Sequence, residues 1–265
     1  MRIFVATLRK LVRRPATFVT FGLLVGLLAL ILLAVGATAG RAEAGPGSRQ
    51  ALLIVTFPGA YSLILSFILG FGGLFAVIFA AAVAGSEWSW GMLKSAVARG
   101  ESRGRYQLAT FAAIALMIGV GLVAAMAIGV AVGVVSADIA GVSTAGLDDS
   151  ETLGTLPELL ARAWLAIVEA GALGFAIATL ARSQLAGIGA GIGSFFSEQF
   201  ASIFLPDIVK FLPFNAGQAV VATPGEFAGS TSNLSPDTAL LVVTAWLVGA
   251  LAVATIFTER AEISG

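Results

Sequence analysis

Apolar residues fill long stretches of this chain, and polar ones gather in short islands between them. Phe18–Val35, Leu52–Ala84 and Tyr106–Val135 carry no charge at all. At about 20 apolar residues per crossing, the pattern predicts six spans: Thr17–Thr38, Pro58–Ala84, Tyr106–Val135, Pro157–Ala181, Gln184–Leu205 and Thr238–Phe257. The second and third stretches exceed what a crossing needs, so they must tilt, kink or protrude. Pro58-Gly59 and Gly70-Phe71-Gly72-Gly73 are the natural kink points in the second. The fourth and fifth are joined only by Arg182-Ser183, a tight helical hairpin. The fold class is an all-α integral membrane protein.

Ahead of the first span the pattern changes from uniformly apolar to amphipathic. Met1, Phe4, Val5, Leu8, Leu11 and Val12 fall on one arc at helical spacing, and Arg2, Arg9, Lys10 and Arg13 on the other. Such a helix lies in the membrane interface with its basic side toward anionic headgroups. Pro15 ends it. The alternative is a signal peptide cleaved at Ala37-Thr38-Ala39, but Phe18–Val35 is longer than an ordinary signal core.

Between the second and third spans lies the most patterned island, Gly85–Arg105, with Glu87, Lys94, Arg99, Glu101, Arg103 and Arg105. Its charges must sit in water. From Ser86 to Ala98 it reads as a short helix with Trp90, Leu93 and Val97 on one side, broken by Gly100 and Gly104. Glu87 and Lys94 lie on the adjacent face. Two readings fit: a helix offered to a partner, or a solvated loop whose Trp side chains anchor at the headgroups.

Charge placement sets the orientation. Of the 15 Lys and Arg, 11 lie on the side holding the N-terminus, the island, the Arg182 turn and the C-terminus, while 9 acids lie on the other side. The positive-inside rule therefore places both termini and the island in the cytoplasm of a cell membrane protein. The outer segments differ in kind. Gly40–Gln50 is short and small-residue rich, Ser136–Leu156 is acidic, and Pro206–Pro236 carries Phe211, Leu212, Phe214 and Phe227 among four prolines. The last reads either as short helices dipping into the outer leaflet or as a mobile loop.

With 58% hydrophobic and 11% charged residues the chain departs far from a soluble domain. It has no Cys and no His, which excludes disulfides, thiolate nucleophiles, Ser-His-Asp and Cys-His catalysis, and zinc sites built on those ligands. No phosphate-binding Gly-rich loop followed by Lys occurs, so any nucleotide chemistry belongs to another polypeptide. There is no basic–aromatic surface for nucleic acid.

Two acids fall within spans, Glu169 in the fourth and Glu198 in the fifth, the latter beside Ser194, Ser197 and Gln199. Intramembrane carboxylates are candidates for a proton relay, a cation site or the lining of a pathway. The alternative is a protonated Glu bonded to a neighbouring carbonyl or hydroxyl. Gly187, Gly189, Gly191 and Gly193 give two overlapping GxxxG patterns on opposite faces of the fifth span, and Gly22 and Gly26 one in the first, which point to close helix packing.

The layout, and the run G-S-E-W-x-W-G-x-L-K-x-x-x-A-R-G-x-x-R at Gly85–Arg103, resemble an ABC-2 type transporter permease. The resemblance is carried in detail by Glu87, Gly91, Met92, Leu93, Lys94, Ala98, Arg99, Gly100 and Arg103, with Met92 in place of the more usual Thr. The Lys often found just inside the third span is absent. The resemblance implies an elbow helix at residues 1–16 and a six-helix transmembrane domain at 17–265. It also implies a coupling helix within 85–105 and a re-entrant extracellular hairpin at 206–236. The coupling residues would be Glu87, Trp88, Trp90, Leu93, Lys94, Val97, Arg99 and Arg103, docked into a separate cytoplasmic ATP-binding subunit that holds ATP and Mg. A second permease copy or a paralogue would complete the pathway, and this chain itself would catalyse no bond chemistry. The family implies export of a hydrophobic or amphipathic substrate. The competing functions are an ion-coupled secondary transporter using Glu169 and Glu198, and a membrane scaffold that recruits a cytoplasmic partner.

Overall fold

A computed structural model describes residues 2–39, 52, 55–221 and 234–261. The Gly40–Gln50 segment, residues 222–233 of the expected re-entrant segment and the last four residues lie outside the described residues, as does the side chain of Arg2. Every regular element among the described residues is a helix. In chain order these are α1 (Arg2–Val12), α2 (Pro15–Ala39), α3 (Gly59–Ser89), α4 (Met92–Ala98), α5 (Arg103–Ala140) and α6 (Ser150–Ala181). They are followed by α7 (Gln184–Ala201), α8 (Pro206–Val209), α9 (Pro213–Ala219) and α10 (Pro236–Arg260).

Five of them, α2, α3, α5, α6 and α10, are long and apolar enough to cross a membrane. The fifth expected span, α7, is shorter than anticipated: it has 18 residues and ends at Ala201 rather than Leu205. Ser197, Glu198 and Gln199 make its last turns polar, and residues 202–205 turn the chain into α8. The helix α6 starts seven residues before the expected Pro157, which sits inside it. Its start is set by Asp149, whose carboxylate accepts the Thr152 N–H at 2.9 Å. This cap satisfies one of the first-turn donors that a helix leaves open. The Thr152 hydroxyl, which donates to the same carboxylate, and then the Thr152 N–H hold the Asp149 pKa below the usual carboxylate value.

The hydrophobic run alone does not say which helices are central; the packing does. In their most apolar stretches α6 is 72% and α3 56% buried, against 17% for α2 and 11% for α10. The two inner helices touch through backbone. Gly174 lies on the Val77 carbonyl and Gly171 near that of Ala76, where any side chain at Gly174 would collide. Small residues permit this approach. On α7 only one of the two glycine faces packs: Gly187 rests on Ala178 and Gly191 on Val77, while Gly189 and Gly193 meet nothing within 4 Å. The Gly22 and Gly26 pair also meets nothing within 4 Å among the described residues, and a close contact of α2 comes instead from Gly36 against the Ser136 carbonyl, 2.6 Å from where a Cβ would be.

The island folds differently from the single helix expected over Ser86–Ala98. Helix α3 continues through Ser89, the chain turns at Trp90 and at Gly91 with φ 64°, and α4 then begins at Met92. A left-handed residue is a natural place for glycine. Gly100, at φ 85°, ends the segment as anticipated. Gly104 does not: it lies within the first turn of α5, where a Cβ would stand 2.6 Å from the Glu259 carboxylate.

Candidate functional site

At the basic end of the bundle, four helices meet on one buried carboxylate. Glu87, in the last turn of α3, is 2% exposed. It is ion-paired with Lys10 of α1 and accepts the hydroxyl of Tyr106 of α5. Lys10 also reaches the Met92 sulfur at 2.9 Å, which brings α4 into the cluster. Beside it Arg14 donates to the Ser86 hydroxyl at 2.6 Å. Burial lowers the Arg14 pKa from its ordinary value, and the neighbouring Glu87 charge opposes that shift. A buried charge stays ionised at low cost only when paired and hydrogen-bonded, and Glu87 has both kinds of partner.

Helix α1 is held by packing as well. Phe4, Leu8 and Leu11 enter an apolar cluster with Phe111 and Ile114 of α5, whereas Val5 and Val12 of the expected arc are exposed. Of its basic residues, Arg9 and Arg13 are exposed, while Lys10 turns inward. Lys10 was expected on the headgroup side; its pairing with Glu87 draws it into the protein.

The island residues divide into two groups. Trp90 is 64% exposed and Lys94 and Arg99 are also at the surface, but Leu93 is only 3% exposed and packs inward with Ala96. Val97 is half-buried. The single stripe Trp90, Leu93, Val97 is therefore split, because the turn at Gly91 resets the helical phase between Trp90 and Leu93. Exposed Trp90 lies beneath two cations, with the Arg14 guanidinium 4.9 Å and the Lys10 ammonium 5.8 Å from its ring centre.

Glu87 does not stand at a rim for orienting a partner; it is internal, because Lys10 and Tyr106 close over it. Trp88 is likewise engaged, 6.3 Å from the Phe257 ring with the Arg182 guanidinium 5.1 Å from its own. Arg103 donates to the carbonyls of Glu259 and Ala261 at 3.1 and 2.6 Å, capping the end of α10. Gln107 donates to the Thr258 hydroxyl at 2.8 Å across the same α5–α10 contact. Sequence spacing could not expose these tertiary ties, since even the hydrogen bonds among them link positions 19 to 158 residues apart.

Away from this cluster, Glu169 of α6 and Glu198 of α7 both lie close to Phe214. The Glu198 carboxylate accepts three N–H groups: the Phe214 and Asn215 backbones at 3.0 and 3.2 Å, and the Asn215 side chain at 3.3 Å. It thereby fastens the first turn of α9 to α7. Its expected neighbours do not serve it. Ser194 and Ser197 face outward, Ser194 donating back to the Ala190 carbonyl, and Gln199 is half-buried without a bond to Glu198. Glu169 is wholly buried, and neither of its oxygens finds a hydrogen-bond partner among the described residues. It borders a cavity of about 10 Å³ with Gly73, Phe195, Phe214 and Gln218, about the room of one water molecule.

Residues 48–263 match the family described as protein of unknown function (DUF2705). The chain belongs to the DUF2705 family. The match spans everything from before α3 to beyond α10, so Glu87, Tyr106 and the Glu169–Glu198 region fall within it, while α1 with Lys10, Arg14 and α2 precede it. A comparison with curated proteins finds no match.

Proposed function

We propose that the protein is the membrane-spanning permease subunit of an ATP-driven transporter of the ABC-2 type, exporting a hydrophobic or amphipathic substrate. In this reading α7 completes six spans, both termini are cytoplasmic, and two permease halves, identical or paralogous, form the pathway. ATP and Mg are held by a separate cytoplasmic subunit. The observation that carries the reading is the mounting of α4. A short helix with Lys94 outward, flanked by exposed Trp90 and Arg99 at its two ends, is anchored through Leu93 and Ala96, and its root is tied to α1, α3 and α5 by Glu87. An exposed aromatic flanked by cations on a braced helix suits docking into a cleft on a partner.

Truncating aromatic and Arg anchors commonly costs about 2 kcal/mol or more each. Trp90→Ala with Arg99→Ala should therefore weaken binding of the co-purifying ATPase by roughly several hundredfold when the two contributions add. Membrane insertion should be unchanged. Full retention by the double variant would refute the docking role.

A second reading, ion-coupled transport, is favoured by one observation: the unpartnered Glu169 beside its small cavity. Transport that survives loss of every ATPase but fails in Glu169→Gln would select it over the first.

A further inference from the structure

A groove of about 200 Å³ opens on the outside of the bundle between α2, α3 and α5. Phe18, Phe21 and Leu24 form one wall, Phe75 the floor, and Val120 and Ala124 the other wall. Its polar lining consists of Thr17 and Thr20. Their hydroxyls already donate to the carbonyls of Leu11 and Ala16, at 2.7 and 2.8 Å. The groove thus has no donor left to recognise a polar ligand. Its lining along α2 runs from Thr17 to Leu24, about 10 Å at the helical rise. All the helices that form it are among those long enough to span hydrocarbon. The occupant that matches such walls is an alkyl chain.

The mouth of the groove is different in character. Helix α1 packs beside it, with Leu8 against the same apolar cluster that includes Met117 and Ile118, and those two residues also line the groove. Lys10 and Arg14 are taken up by Glu87 and Ser86. Arg9 and Arg13 are exposed and form no ion pair among the described residues. Two cations at the interface, one helix away from an alkyl-sized groove, complement a lipid that joins a negative headgroup to a chain.

We propose that the groove holds one acyl chain of an anionic phospholipid from the leaflet on the α1 side, with its phosphate on Arg9 and Arg13. This makes the lipid a stoichiometric part of the α1–α2–α5 junction rather than bulk solvent. It does not depend on what the protein transports.

The test is native mass spectrometry of the full chain purified in detergent with equal phosphatidylglycerol and phosphatidylcholine of the same chain length. The wild type is expected to retain one lipid, predominantly phosphatidylglycerol. Ala124→Phe and Thr20→Phe, which fill the groove from opposite walls, should abolish retention while eluting as monodisperse protein. Arg9→Gln with Arg13→Gln should keep a bound lipid but lower the phosphatidylglycerol preference by about tenfold or more. If one filled variant aggregates, the other decides, and the charge variant lies outside the hydrocarbon and leaves the fold intact. Retention of a lipid by a folded groove-filled variant would overturn the proposal. So would equal retention of the two headgroups, or none at all, by the wild type.

Discussion

Replacing Lys10 by Met removes one partner of a buried ion pair and leaves Glu87 stranded. Such a loss typically costs about 3–5 kcal/mol. Two features reduce it here: the Lys10 side chain keeps 22% of its exposure, and Tyr106 still donates to the carboxylate. About 2 kcal/mol is the expected cost, roughly a thirtyfold rise in the population with α1 detached. The chain suits a direct assay because it has no Cys. Leu11, on the inner face of α1, is fully buried against the bundle, so a Leu11→Cys probe should be alkylated only when α1 opens. Its labelling rate should rise about thirtyfold in the Lys10→Met background. Adding Glu87→Met removes the stranded charge and should return most of the protection. If Lys10→Met labels no faster than its parent, or the added Glu87→Met restores nothing, the ion pair does not hold α1 and the reasoning fails.

Glu198→Ala should lower the detergent melting temperature, since three N–H groups lose their acceptor at about 1–3 kcal/mol per buried group left unsatisfied. Glu198→Gln, which keeps an acceptor oxygen, should fall less. Glu169→Leu should melt at or above the wild-type temperature, because it replaces two unpartnered oxygens by apolar atoms; a large drop would mean that Glu169 has a partner after all. Gly174→Ala should destabilise by about 1–3 kcal/mol through collision with the Val77 carbonyl. Gly189→Ala and Gly193→Ala should be neutral or slightly stabilising in the same melts. Because its pKa is lowered in the folded chain, Asp149 caps α6 fully above the ordinary carboxylate pKa of about 4 and progressively less as pH falls through its own value. Amide exchange at Thr152, corrected for intrinsic pH dependence, should lose protection only on the acid side.

Much of the scaffold was legible from apolar run length, because a run of that length has few other places to go. The positions of α2, α3, α5, α6 and α10 follow from it, with ends displaced where a local cap outweighs the pattern, as Asp149 does for α6. The amphipathic arc of α1 was legible too, but not the inward turn of Lys10, which Glu87 attracts. The island was read correctly as polar and helical, but one glycine with positive φ changed which side chains share a face. The shortness of α7 was visible only as polar residues near its end. The Phe214–Asn215 grip on Glu198 was not visible at all, since nothing local marks a backbone donor 16 residues away.

The Gly174 contact with the Val77 carbonyl has a mechanical meaning. Where helices meet through interlocking side chains, they can slide by exchanging rotamers. Backbone on backbone leaves nothing to exchange, and Gly187 seats α7 on the Ala178 backbone of α6 in the same way. These three helices behave as one bolted block, so displacement must be taken up at α2, α5 and α10, which wrap around it. Helix α4 hangs from the end of the bolted α3, separated only by the Trp90–Gly91 turn. A force applied at α4 therefore reaches α6 and α7 as a rigid tilt, with the turn at Gly91 as the one compliant joint along that line.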